Sequence, residues 1–444
     1  MERVKLRKRV AIIGAGVAGL AAARHFTAPG SPFECQVFEQ DNNVGGTWRL
    51  SDYVGTDEIG RPVHSSMYKY LRMNLPKEIM CYPDFAFSSD SDGVSYITSQ
   101  QFLDYTEEYA DHFQLQKHIK FNHGVKEVKP LTGANGETEW QVTVYNWLTK
   151  ETTTHIFYAV MVCNGHFCTP NIPDFEGSNK FNGKIVHSHD YRDPEDFKGK
   201  RVLIVGGSFS AIDITVDVAK WADHVVMSHH LKEFTPDYPD NVSLVPDIKN
   251  FTKNGALFVN GEEKNFDTVI LCTGFKYNFP FLHESCKITT NGYGVEVEPL
   301  YKHMINIEYP SMCFISICNY NLPAQLSDLQ SRYFYSLLSG ISNLPSKEEM
   351  YADLREDQKH RIEKLRWPAQ QAHKLGPLQE KLYSEIATAC GAEGIKPVTL
   401  KMFIDCVVAN SKFQDLQHFR DRRFTIIDNN TYEATPPFSS LETK

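Results

Sequence analysis

Three glycines at the spacing Gly14-x-Gly16-x-x-Gly19 follow the apolar run Val10 to Ile13 and lead into LAAARHF, whose apolar residues recur at helical spacing. That pattern suits a pyrophosphate. The first glycine makes a tight turn, the second lets the anion approach the backbone, Val17 and Ala18 open a helix whose N–H groups face it, and the third packs helix on strand. A second strand-like run, CQVFEQ, ends in Glu39 and Gln40, where a carboxylate can accept hydrogen bonds from a ribose. Together the two features predict a dinucleotide site for an unphosphorylated ribose, as in FAD; a glycine-rich turn that binds nothing is the bland alternative.

The pattern recurs in RVLIVGGSFSAIDI, where Gly206 opens the turn and Ser208 and Ala211 occupy the second and third glycine positions. Small residues still permit close approach, and the Ser208 and Ser210 hydroxyls can donate to phosphate. Phe209 either contacts the nucleotide or packs on its own helix. The next strand, HVVMS, runs into His229, His230 and Lys232 rather than an acid. A carboxylate there would repel a 2′-phosphate and these groups can attract one, so the second site suits NADPH; a solvated strand end is the competing account.

His187 and His189 in FNGKIVHSHDY would point to one face of a strand, as metal ligands do, but no third ligand stands at suitable spacing. No metal is expected. Cys163 and Cys168 have the gap of some redox pairs, yet they straddle Gly165 rather than following the first glycine turn, so coincidence is the simpler account. The ten cysteines are scattered along the chain, which fits buried thiols in a reducing compartment.

The elements that must position these groups are those of a soluble α/β protein of two or three domains. The chain has 444 residues, 41% of them hydrophobic and 23% charged, and a net charge of −9 with the two signs interspersed, which predicts no nucleic-acid or anionic-membrane partner. The basic run before VAIIGAGVAG superficially mimics a signal peptide, but three glycines interrupt it, and no apolar run is long enough to span a bilayer. A cytoplasmic protein without a membrane anchor is expected, with homo-oligomer formation left open. Residues 100–120 carry helical periodicity and residues 125–163 alternate like strands. VMVCNGH and TVILCTGF look alike, each an apolar strand entering a Cys-x-Gly turn, and are predicted to be two crossings between domains. The expected fold is therefore two Rossmann-like dinucleotide-binding domains, the second inserted in the first: residues 1–168, then 169–274, then a return over 275–444 whose last hundred residues are charged and largely helical, broken at WPAQ and GIKP.

GAGVAG with Glu39, GGTW (Gly45 to Trp48), HSSMYKYLRMNLPKE (His64 to Glu78), F-x-G-x-x-x-H-x-x-x-Y over Phe181 to Tyr191, TGFKYNFPFL (Thr273 to Leu282) and SDLQSRYF (Ser327 to Phe334) resemble the flavin-containing monooxygenases along nearly the full chain. Asn164, where a threonine is usual, and Ser208, for the middle glycine, depart from that pattern. The resemblance is to the shorter members from insects and bacteria. It implies FAD reduced by NADPH, addition of O2 to give a flavin C4a-hydroperoxide, and attack on it by a small-molecule tertiary amine or sulfide. N,N-dimethylaniline is a type substrate, and pyrrolizidine alkaloids such as senecionine are insect candidates. It places FAD on Gly14, Gly16, Val17, Ala18, Gly19, Glu39, Gln40, Gly46, Thr47, Trp48 and Met73, and NADPH on Gly206, Ser208, Phe209, Ser210, His230 and Lys232. Asn74 is the implied catalytic residue, facing flavin and nicotinamide and donating hydrogen bonds without titrating. By residue type alone Asn74 reads as a turn residue before Leu75-Pro76, and Trp48 as core.

Three rivals stand beside this. A Baeyer–Villiger monooxygenase would show tryptophan where Tyr191 ends the fingerprint. A siderophore-type hydroxylase would act on a primary amine. A nucleotide-binding regulatory protein would keep the folds without the chemistry.

Overall fold

The computed structural model describes residues 7–88, 93–231, 236–291, 294–410, 416 and 418–436. Apolar runs bounded by glycine become the strands of two sheets, and the alternation of strands with helices makes both sheets largely parallel. The seven-stranded sheet runs, edge to edge, Leu300–Tyr301, Ile305–Asn306, Met312–Phe314, Ala159–Val162, Lys8–Ile13, Phe33–Phe38 and Ile119–Lys120. Only the first three strands in that order pair antiparallel. The five-stranded sheet is parallel throughout, in the order Val242–Val245, His224–Ser228, Arg201–Val205, Thr268–Leu271 and Lys184–His187. Central strands are buried on both faces, as Ala159–Val162 and Thr268–Leu271 are at every residue. An antiparallel unit of His123–Thr132, Thr138–Asn146 and Thr152–Phe157 accounts for the alternation seen in the sequence.

The expected fold class is therefore present: mixed α/β with two Rossmann-like units, one interrupting the other. The two crossings lie side by side. Pro170 and Phe275 bridge antiparallel, the Asn171 amide donates to the Thr273 carbonyl at 3.1 Å, and the Thr273 hydroxyl returns a bond to Asn171 at 2.5 Å. Asn164, in place of the usual threonine, donates to the Asn278 carbonyl at 3.3 Å and so adds to this double strap.

Two element expectations need correction. The helix foreseen over 100–120 spans only Ser99–His112. A Thr98–Gln101 capping box starts it, and it ends where Gln114 takes φ 53°, turning Leu115 into the core. The C-terminal region is not helical to its end. After the helices Lys347–Lys359, Gln379–Cys390 and Pro397–Asn410 the chain forms a hairpin, Arg423–Ile426 with Tyr432–Thr435. Its turn is made by the Asp428 carboxylate accepting from the Asn430 and Thr431 N–H groups at 2.7 and 2.8 Å, which reverses a polar run that carries no apolar strand pattern. Cys163 and Cys168 are free thiols, as are the other eight cysteines. Among the described residues no helix is long and apolar enough to cross a membrane.

Candidate functional site

The first glycine loop is built as its spacing requires. Gly14 has φ 102°, and a Cβ there would lie 2.6 Å from the Cys163 carbonyl oxygen. At Gly19 a Cβ would stand 1.9 Å from the Gly14 carbonyl oxygen, which is the helix-on-turn contact. Gly16 instead faces Gly46 across a gap, its imagined Cβ 3.4 Å from the Gly46 Cα. The helix Val17–Phe26 starts at Gly16 with no side chain capping it. Open N–H groups at a helix N-terminus, beside two glycines with no side chains between them, fit a dinucleotide pyrophosphate.

Glu39 is buried at the end of its strand. It accepts from the Ala15 N–H at 2.6 Å through one oxygen and from the Asp41 N–H at 2.7 Å through the other. Burial raises its carboxyl, against the lowering effect of these two donors. Each oxygen keeps a lone pair for a ribose hydroxyl. Gln40 is half-buried next to it, its carbonyl taking an Arg61 bond at 3.0 Å. Thr47 Oγ1 lies 3.5 Å from Ser66 Oγ. The Trp48 ring sits 4.4 Å from that of Phe102, so it packs on the core whatever else it touches. Val17 passes its carbonyl to the Tyr82 hydroxyl, while Ala18 and Met73 lie in the same core.

The second loop repeats the construction. Gly206 has φ 136°, and its Cβ would lie 2.4 Å from the Cys272 carbonyl oxygen, as Gly14 lies against Cys163. Ser208 caps the helix Phe209–Ala219 by position but makes no capping hydrogen bond, and Ser208 and Ser210 are exposed while Phe209 is half-buried. The hydroxyls are thus available to a phosphate. His230 is 81% exposed and its Nδ1 lies 3.4 Å from an Asp247 carboxylate oxygen, a neighbour that competes with any anion for it. Lys232 lies outside the described residues.

His187 and His189 do not alternate along one strand. The strand ends at His187, and Ser188–Asp190 form a 3-10 turn in which the His189 N–H donates to His187 Nδ1 at 3.0 Å. Both rings meet the edge or face of Phe275 at the second crossing, with centroids at 5.3 and 6.3 Å. Among the described residues no group of histidine, cysteine or acid side chains could hold a metal. Burial pushes His187 and His166 down to about 4 from the ordinary 6.5. Each is neutral in the fold and titrates more readily when unfolded, so its contribution is complete above pH 6.5 and is lost as pH falls toward 4. The melting temperature is expected to drop across that window, and His166→Gln to flatten the drop; an unaltered slope would dismiss the role of His166.

Asn74 is half-buried, and its side-chain oxygen accepts from Arg420 Nη2. Arg420 Nε donates to the Met73 carbonyl at 3.0 Å, and Nη2 also meets both oxygens of Asp213 at 2.9 and 2.7 Å. Asp213 lies on the Phe209–Ala219 helix and accepts from the Tyr68 hydroxyl at 3.3 Å, whose ring meets Tyr191 edge-on at 5.1 Å. Asn74 therefore stands where the two nucleotide units and the C-terminal segment meet. Arg420 was not anticipated from the sequence, where its only signal is the basic run HFRDRRF.

Comparison with known proteins gives a consistent picture. Residues 7–234 and 239–410 match the family described as flavin-binding monooxygenase-like. Senecionine N-oxygenase of Tyria jacobaeae is 35% identical over 96% of this chain and 91% of its own length. Trimethylamine monooxygenase of a Roseovarius species is 35% identical over 78% of each chain. The solved structure of S-allyl-L-cysteine S-oxygenase from Allium sativum superposes with a TM-score of 0.84 at 32% identity, covering 93% of this chain and 95% of the other.

Proposed function

The chain belongs to the flavin-binding monooxygenase-like family, and from that premise we propose that it uses NADPH and O2 to oxygenate a soft nucleophile, foremost the nitrogen of a tertiary amine. Flavin-containing monooxygenases bind FAD and NADP(H). FAD, when bound, supplies two-electron redox chemistry and the activation of O2. Everything else falls to the protein.

In this proposal residues 1–168 and 275–444 hold FAD and residues 169–274 hold NADPH. Gly14, Gly16 and Gly19, with the N–H groups of Val17 and Ala18, take the pyrophosphate, Glu39 and Gln40 the ribose, and Gly46, Thr47, Trp48 and Met73 border the ring system. Gly206, Ser208, Phe209 and Ser210 take the NADPH pyrophosphate, with His230 and Lys232 toward its 2′-phosphate. Asn74 donates a hydrogen bond at the reacting oxygen. The substrate nitrogen or sulfur attacks with its own lone pair, so no strong base is needed, and among the described residues the Asn74 side chain is hydrogen-bonded to Arg420, which is no base.

One observation carries the assignment of Asn74. A guanidinium only donates, so the atom it contacts must be the amide oxygen, and the NH2 group is left facing the other way with two donors. Tyr191, which ends the fingerprint in place of tryptophan, supports heteroatom over ketone oxygenation. The likeness to the Tyria jacobaeae enzyme extends the proposal to pyrrolizidine alkaloids such as senecionine.

NADPH oxidation by the yellow holoprotein should be screened against N,N-dimethylaniline, a thioether, a cyclic ketone, lysine and senecionine, with product masses. The tertiary amines are expected to stimulate consumption and gain one oxygen. Activity confined to the ketone or to lysine would transfer the protein to one of the rival classes.

A further inference from the structure

Arg420 is attached to three things at once: the Met73 carbonyl, the Asn74 side-chain oxygen and the Asp213 carboxylate. Its side chain is 14% exposed and that of Asp213 is 12%, so the ion pair is shielded from water and ions. Burial disfavours the charge on Arg420, and Asp213 more than restores it, holding the guanidinium above its ordinary range. The residue sits in a 3-10 turn, Phe419–Asp421, just before the terminal hairpin, and its own carbonyl accepts from Arg72 Nη2 at 3.1 Å. Neither the turn nor the hairpin forms part of either glycine loop.

The geometry has two consequences. First, Arg420 removes the ambiguity of the Asn74 amide, because rotating it would bring NH2 donors against a guanidinium. Second, the guanidinium nitrogen that meets Asn74, Nη2, is also held by Asp213, one turn into the helix whose N-terminus carries Ser208, Phe209 and Ser210. A shift of that helix moves Asp213, and through Arg420 it disturbs Asn74. Resting on the function proposed above, we propose that Arg420 is a positioning residue: anchored by Asp213, it fixes the orientation of the Asn74 amide and makes that orientation depend on how the NADPH-side helix is seated.

A lysine in place of Arg420 keeps the charge but cannot present a planar fork to a carbonyl, an amide and a carboxylate together. With N,N-dimethylaniline as the probe, Arg420→Lys holoprotein is expected to keep its FAD content and to melt close to the wild type. It should form at least about tenfold less N-oxide per NADPH, since small misplacements of a reacting group cost up to about a hundredfold. The missing reducing equivalents should be recovered as hydrogen peroxide. NADP⁺ titration of the oxidised holoprotein, followed by flavin fluorescence without turnover, should show severalfold weaker binding. A merely structural role would lower the melting temperature and leave the N-oxide to NADPH ratio intact.

Asp213→Asn carries the same test if the lysine variant does not fold. It keeps a neutral acceptor for Arg420 but removes the anchoring charge, and the same two readouts should move in the same direction. Wild-type ratios and NADP⁺ affinity in a folded variant would overturn the positioning role alone. Absence of N-oxide from the wild-type protein would overturn the functional proposal, and this inference with it.

Discussion

Asn74→Ala is expected to bind FAD normally and to oxidise NADPH, yet to yield about a hundredfold less oxygenated product, the range seen when one preorganised donor is removed from a reacting oxygen. The separation of effects follows from position. Among the described residues the Asn74 side chain is hydrogen-bonded to Arg420 and to neither glycine loop, so its loss leaves the cofactor cradle unchanged. Leu75, Pro76 and the short helix Lys77–Met80 continue without help from its side chain. Reducing equivalents then leave as hydrogen peroxide, because water and protons reach an oxygen that the amide no longer protects. Asn74→Asp should lose coupling as alanine does, since a carboxylate offers no donor at neutral pH. Simultaneous assay of peroxide, NADPH and N-oxide decides the matter: an unchanged ratio of product to NADPH in the alanine variant would take Asn74 out of the chemistry.

Substitutions in the first glycine loop should divide by what the missing side chain would meet. Gly19→Ala puts a methyl 1.9 Å from a backbone carbonyl oxygen that cannot move without moving the turn at Gly14, which itself needs φ 102°. A loss of about 3 kcal/mol or more and a poorly folded apoprotein are expected. Gly16→Val is different. Its Cβ would rest 3.4 Å from the Gly46 Cα, a contact the folded chain tolerates, but it fills the space left for a pyrophosphate. That variant should melt near the wild-type apoprotein and be colourless, because even about 3 kcal/mol of clash weakens FAD roughly a hundredfold. Thermal melts with flavin absorbance separate the two. A yellow Gly16→Val protein would place the pyrophosphate elsewhere.

Legibility in the sequence tracked how local the determining contacts are. The two glycine turns could be read because their chemistry lies within a dozen residues, whereas the repeated contact of Gly14 with Cys163 and Gly206 with Cys272 closes a long separation and was not foreseen. The crossings could be read because VMVCNG and VILCTG fold alike. The helix beginning at Ser99 showed itself through its periodicity but hid its end, since Gln114 in a left-handed conformation has no composition signal. The terminal hairpin was hidden for a related reason: its reversal is made by one aspartate accepting two backbone bonds. Arg420 was out of reach altogether, because its contact with Asn74 closes a separation of 346 residues that no spacing rule spans. His230 was legible as a polar group at a strand end, but not its neighbour Asp247.

The central claim is that this chain transfers an oxygen atom from O2 to a substrate heteroatom at the expense of NADPH. The most direct measurement is the mass of the N-oxide formed from N,N-dimethylaniline under 18O2 in ordinary water. Incorporation of one 18O atom per N-oxide with one NADPH consumed, and in Asn74→Ala loss of the labelled N-oxide while NADPH oxidation continues, is the predicted result. An unlabelled product, or NADPH consumption that ignores the amine, would contradict it.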